Sequence, residues 1–207
     1  MSSEAAVARA AALLAAGEVV AFPTETVYGL GARADDPRAV RRIYLAKGRP
    51  PSVPLIVHLT GKPAALPLAA VWSAAANKLA DAFWPGSVTL VVQRADSVID
   101  EVTAGRDTVA LRVPSHPVAR QLLEACDFPV VAPSANSFGE RPPRTAAEVM
   151  AGLGGRIPLI LDGGAVGRAA SERPAPSTIV DVTSEPPVVL RDGAVSRAEL
   201  GAVVTVA

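Results

Sequence analysis

The chain has 207 residues, half of them hydrophobic, with 20 Lys+Arg against 20 Asp+Glu. That supports one large packed core or two small ones, and it excludes a global electrostatic attraction for nucleic acid while leaving room for a local basic cavity. The scarce aromatics argue against a base-stacking platform, and a single Cys126 with only two histidines excludes an internal disulfide and argues against a Cys- or His-rich metal site.

The N-terminus carries Glu4 and no basic segment, so no secretory signal is expected. No apolar run reaches membrane-spanning length, and a cytoplasmic chain is expected. Residues 3–16 read as an Ala-rich helix, with Ser3 as N-cap and Gly17 just past its end. A strand over 18–22 is broken by Pro23-Thr24-Glu25-Thr26, and Gly29 and Gly31 then suggest tight backbone geometry. Asp36 caps a helix with Pro37 at its first position, running to about Leu45. Next comes a basic loop, Lys47-Gly48-Arg49-Pro50, whose two cations can reach one anion while the glycine brings the backbone close. It feeds an apolar strand over 55–59 that contains His58.

Residues 60–70 show no clear pattern. An amphipathic helix is expected over 71–83, stopped by Pro85-Gly86, then a strand over 88–92, a polar loop over 94–107 and a strand over 108–113. Ser115 can cap a helix ending near Cys126, which reads as an inert core thiol. A short strand over 130–132 runs into Pro133-Ser134-Ala135-Asn136. Thr145 to Glu148 and Ser196 to Glu199 have capping-box spacing, and strands are expected over 158–161, 178–182 and 188–191. Residues 166–176 are small and polar and read as a mobile loop. Strands and helices interleave without a linker, which predicts a single α/β domain over 1–207. No G-x-G-x-x-G follows a strand and no P-loop is present.

Polar residues fall where strands end. If those ends converge, they enclose several cations and many donors, which suits a nucleoside triphosphate beside a small polar substrate. Thr108 and Arg112 share one face of a strand. An arginine inside an apolar strand needs an anionic partner, either an interior glutamate or a ligand carboxylate. His58 suits a satisfied core position or a ligand contact, and Arg191 a surface charge or a site residue.

Taken in order, these segments resemble the YrdC-like family of threonylcarbamoyl-AMP synthases. The matching stretches are Pro23-Thr24-Glu25-Thr26-Val27-Tyr28-Gly29-Leu30, Lys47-Gly48-Arg49-Pro50 with Pro54-Leu55-Ile56-Val57-His58, Phe83-Trp84-Pro85-Gly86 with Thr89-Leu90, Val109 to Pro114, Pro133-Ser134-Ala135-Asn136, and Pro176-Ser177-Thr178-Ile179-Val180-Asp181. The family signature of Lys-x-Arg with a distant Ser-x-Asn stands here as Lys47, Arg49, Ser134 and Asn136. The resemblance covers about residues 17–193.

It implies an open, twisted α/β sheet with flanking helices and a basic concave cavity. It also implies that L-threonine, bicarbonate and ATP, the last with Mg²⁺, give threonylcarbamoyl-AMP and pyrophosphate. A partner transferase would then modify adenosine 37 of tRNAs reading codons that start with A, so that tRNA contact could be indirect. By the same resemblance Lys47 and Arg49 would be catalytic and bind the triphosphate, and Thr108, Ser134, Asn136 and Arg191 would hold the nucleotide. Arg112 would clamp the threonine carboxylate, Thr26, His58, Ala132 and Ser177 would line its pocket, and Tyr28 would help close it. No protein-held metal and no general base is assigned.

Two departures stand out. Val53 replaces the asparagine usual before the Pro-Leu-Ile-Val-His segment, with Ser52 a candidate substitute, and Ser87 replaces a proline, for which a local backbone difference is expected. Longer members carry an extra C-terminal domain, and the chain resembles the short form. Two other readings belong to different classes: a double-stranded RNA-binding module without synthase activity, and a carbamoyl-transfer relative from hydrogenase maturation.

Overall fold

A computed structural model describes residues 4–167 and 175–207. The Ser3 cap and most of the expected mobile loop lie outside the described residues. Helix α1 (Glu4–Ala15) buries Val7, Ala10, Ala11 and Leu14, the stripe expected of an amphipathic helix. Strand β1 (Val20–Pro23) turns back into β2 (Tyr28–Arg33). Helix α2 (Pro37–Lys47) starts as expected, with Asp36 accepting from the Arg38 N–H. It runs two residues further than Leu45 and stops only at Gly48, which is left-handed at φ 61°. Lys47 is therefore the last residue of a helix and faces inward.

Strand β3 (Ile56–His58) follows. The stretch without clear pattern holds a short helix α3 (Lys62–Ala65), a 3-10 turn (Leu66–Leu68) and strand β4 (Ala69–Val71). Helix α4 (Ala74–Phe83) starts later than its periodicity suggested, because Val71 belongs to β4 and Ser73 caps the helix. Strand β5 (Val88–Arg94), the short helix α5 (Asp100–Thr103) and strand β6 (Thr108–Arg112) come next. Helix α6 (Pro117–Ala125) is capped by His116 Nδ1 rather than by Ser115. The rest is β7 (Val130–Val131), α7 (Ala146–Leu153), β8 (Leu159–Ile160), β9 (Thr178–Asp181), β10 (Val188–Arg191) and α8 (Arg197–Gly201). Both expected capping boxes form.

The strands make one open mixed sheet in the order β10-β9-β5-β6-β3-β7-β2-β1-β8, with β4 added on β5. Pairs β5/β9, β3/β6 and β1/β8 are parallel, the others antiparallel. Register decides which side chains meet. Val180, Leu90, Leu111 and Val57 lie in one row across β9, β5, β6 and β3 and enter the main core with α2 and α4. Side chains alternate along a strand, so the neighbouring row of Ile179, Thr89, Arg112 and His58 points to the opposite face. On that face α1 and α6 cover β1, β2 and β7 through Leu14, Phe22, Leu122 and Val130. From β3 to β10 no helix among the described residues covers it.

Candidate active site

The uncovered part of the sheet is the floor of a cavity of about 630 Å³. Ile56 and His58 of β3, Thr108, Ala110 and Arg112 of β6, Val91 of β5, and Ile179 and Asp181 of β9 form the floor. The walls are the β1–β2 turn with Thr24 and Thr26, the Arg49–Leu55 segment, Ala132 to Ser134, and Ser177 with Arg191. The polar residues thus converge on a sheet face and its border, not on a ring of strand ends. Four arginines line it (Arg49, Arg106, Arg112 and Arg191) against one carboxylate, Asp181, so the cavity is concave and basic in a chain of zero net charge.

Arg112 is buried and its partner is an interior glutamate: Nη2 donates to Glu25 Oε1 at 2.6 Å and to Thr26 Oγ1 at 3.1 Å, and Nε donates to the Gly86 carbonyl at 3.2 Å. Burial raises the Glu25 carboxyl, but the charge and hydrogen bond of Arg112 outweigh it and hold it below the usual carboxylate range. His58 sits beside Arg112, edge-on to Phe22, with Nδ1 3.3 Å from the Ile56 carbonyl. Burial, aided by the Arg112 charge, pushes its imidazole down to about 3, so the ring is neutral near pH 7. Thr89 and Ser177 hydroxyls meet at 2.8 Å, and Arg191 Nη2 donates to the Ser177 carbonyl at 2.8 Å. Burial and then the Arg112 charge lower the Arg191 guanidinium.

Nine of the residues singled out in the sequence border this cavity: Thr26, Arg49, His58, Thr108, Arg112, Ala132, Ser134, Ser177 and Arg191. Three do not. The Lys47 ammonium donates to the Ser134 carbonyl, to the Asn136 carbonyl at 2.5 Å and to Asn136 Oδ1 at 3.5 Å. Burial, with Arg49 and Arg156 nearby, brings it down to about 7, while those three acceptors favour the charged form. Asn136 in turn donates through Nδ2 to the Ser137 and Glu140 carbonyls, both at 2.8 Å. The Lys-x-Arg and Ser-x-Asn segments are thus one interlocked unit, in which Lys47 fastens the end of α2 to the loop after β7. The Tyr28 hydroxyl donates to the Gly164 carbonyl at 2.8 Å and accepts from the Gly163 N–H, so it holds residues 163–164.

Arg49 reaches the cavity while donating to the Val53 and Pro54 carbonyls, with its guanidinium 5.7 Å from the Phe138 ring centroid. Val53 borders the cavity where an amide was expected, and exposed Ser52 does not replace it. Ser87 does more than alter the backbone: its hydroxyl donates to Glu25 Oε1 at 3.2 Å. Glu25, Arg106 and Asp181 are the charged groups that sequence reasoning missed. Glu25 and Asp181 lie within matched motifs, but Arg106 sat in what read as a polar loop. Among the described residues no cluster of three or more His, Cys, Asp or Glu is suited to a metal, and the cavity lining offers one carboxylate. No helix among them is long and apolar enough to cross a membrane.

This is an α/β protein whose exposed sheet face presents guanidinium, hydroxyl and neutral imidazole groups to a cavity of nucleotide size. Residues 12–193 match the Sua5/YciO/YrdC family, described as telomere recombination, and the chain belongs to that family. It is 44% identical over 199 residues to a threonylcarbamoyl-AMP synthase of Bacillus subtilis, covering 96% of this chain and 56% of that protein. The chain thus spans little more than half of that relative's length. A threonylcarbamoyl-AMP synthase of Halorhodospira halophila is 39% identical, covering 82% of this chain and 87% of the relative. The crystal structure of Pyrococcus abyssi Sua5 complexed with L-threonine superposes with a TM-score of 0.92 at 40% identity, covering 99% of this chain and 60% of that one.

Proposed function

We propose that the protein is a threonylcarbamoyl-AMP synthase. L-Threonine and bicarbonate condense to a carbamate with loss of water. A carbamate oxygen attacks the α-phosphorus of ATP, the bond to the β-phosphate oxygen breaks, and pyrophosphate leaves. The observation that carries this reading is the pair of Arg112 and His58, with Ser177 and Arg191 beside it, on the uncovered sheet face of an arginine-lined cavity. The relatives' shared name points the same way, and it makes an RNA-binding module without synthase activity the disfavoured alternative.

Arg112 takes the threonine carboxylate through Nη1, because Nη2 and Nε are already engaged. Thr26, Ala132, Ser177 and neutral His58 border the amino-acid end. Arg49, Thr108, Ser134 and Arg191 hold the nucleotide, and Lys47 acts by holding the Ser134–Asn136 segment in place. The leaving group is highly charged and the carbamate is a poor nucleophile, so catalysis rests on positioning and charge neutralisation rather than on a general base. Magnesium arrives on the ATP phosphates, consistent with the single carboxylate in the lining. The product passes to a transferase that modifies tRNA in the cytoplasm.

The test is pyrophosphate release from MgATP and bicarbonate, with and without L-threonine. Threonine-dependent release is expected. Arg112→Ala should raise the KM for threonine by roughly tenfold or more, with a much smaller change for ATP. Release indifferent to threonine would refute the synthase reading, and equal rises in both KM values would refute the assignment of Arg112.

A further inference from the structure

Glu25 has no part in the chemistry above, yet its carboxylate is held by three donors directly behind the cavity floor. Oε1 accepts from Arg112 Nη2 at 2.6 Å and from Ser87 Oγ at 3.2 Å, and Oε2 accepts the Ser115 backbone N–H at 3.1 Å. These donors come from the end of β6, the turn before β5 and the turn before α6. They hold the carboxylate ionised, at a pKa below its ordinary value. Glu25 does not border the main cavity. It stands behind Arg112, facing a second cavity of about 470 Å³ that shares Thr26 with the first.

The cavity must sort two kinds of anion, a polyphosphate and an amino-acid monocarboxylate. An unpaired arginine fork accepts phosphate as readily as carboxylate. Arg49, Arg106 and Arg191 have no carboxylate partner among the described residues and remain available to phosphate. Arg49 and Arg191 also have Nε and Nη2 engaged, but by neutral carbonyls, whereas the charge of Arg112 is cancelled by Glu25 and neutral His58 beside it adds none.

We infer that Glu25 makes Arg112 a carboxylate-selective subsite and keeps phosphate groups out of the amino-acid end of the cavity. A phosphate dianion held by Nη1 would face Glu25 across the width of one guanidinium, repelled about twice as strongly as a monocarboxylate. Glu25 is thus a specificity-determining residue that acts through Arg112. The inference rests on the reading of Arg112 as the threonine anchor.

Calorimetric titration with inorganic phosphate tests it, using wild type, Glu25→Gln and Glu25→Gln/Arg112→Ala, with L-threonine titrations repeated in phosphate. Glutamine keeps the size and one acceptor oxygen, which can stay on Arg112 while the Ser115 N–H loses its acceptor, and thermal unfolding checks each fold. Glu25→Gln should bind phosphate roughly tenfold more tightly than wild type, and the gain should vanish when Arg112 is also removed. Threonine binding to wild type should be indifferent to phosphate, whereas phosphate should displace threonine from Glu25→Gln. Equal phosphate affinity in wild type and Glu25→Gln would overturn the inference. So would displacement of threonine from wild type by phosphate, a result that needs no variant. A wild type that binds no threonine at all would refute the synthase reading instead, and the phosphate titrations would still decide the role of Glu25.

Discussion

His58 ties the site to the pH dependence of the fold. Its folded pKa of about 3 lies below the ordinary 6.5, so the unfolded chain accepts a proton that the folded chain refuses. Stability should therefore be lost as pH falls from about 6.5 towards 3, at roughly 1.4 kcal/mol per unit, and be flat in this group above that window. Glu25, with its lowered pKa, also loses stability on acidification, so the two must be separated. His58→Gln should flatten the loss between pH 6.5 and pH 4 relative to wild type in denaturant titrations, leaving the Glu25 part. Lys47 yields a different prediction, because its ammonium meets backbone carbonyls of Ser134 and Asn136. Lys47→Met leaves those acceptors unpaired in a buried place, at about 2–3 kcal/mol of stability. Denaturation and ATP titration of this variant should show stability and ATP affinity falling together. Loss of ATP affinity with full stability would make Lys47 a direct phosphate ligand.

The elements that border the site were legible to different degrees, and the reasons are physical. Asp36-Pro37, Thr145 with Glu148 and Ser196 with Glu199 are local signals, since a cap bonds backbone a few residues away, and each marks a helix start in the structure. The end of α2 was misplaced because Lys47-Gly48-Arg49-Pro50 reads as loop, whereas the helix continues until Gly48 takes φ 61°. Alternation along β6 put Thr108 and Arg112 on one face. It could not show that His58 and Thr89 flank Arg112, because that follows from register with β3 and β5. Nor could it name Glu25, 87 residues away, as the partner of Arg112. One close approach at this scale carries its own prediction. A Cβ on Gly193 would lie 2.4 Å from the Pro176 carbonyl oxygen and 2.5 Å from Thr178 N, both backbone atoms that cannot swing aside. Gly193→Ala should push the end of β10 from the start of β9 and disturb the hold of Arg191 on Ser177. The expected outcome is at least a tenfold fall in kcat/KM in steady-state assays, about 1.4 kcal/mol of transition-state stabilisation or more.

At the scale of the whole molecule, charge is balanced in number but not in place. Twenty basic and twenty acidic residues cancel, yet four guanidiniums and one carboxylate share the one cavity floor and wall that no described helix covers. Among the described residues several basic side chains elsewhere pair with acids, such as Arg41 with Glu101 and Arg120 with Glu124. The positive potential is thus focused into a concave space of about 630 Å³ rather than spread as a stripe along the surface. A compact polyanion can enter that space with several phosphates in reach of arginines, whereas a duplex presents its phosphates along a rod that one concave space does not follow. Filter binding of ATP and of a short RNA duplex between about 50 and 200 mM salt separates the two cases. ATP should bind with a shallow salt slope and be displaced by pyrophosphate, and the duplex should bind only at the low end of that range. Tight duplex binding with a slope corresponding to about six or more phosphate contacts would instead require an extended basic surface, and would bring the RNA-binding reading back ahead of the synthase.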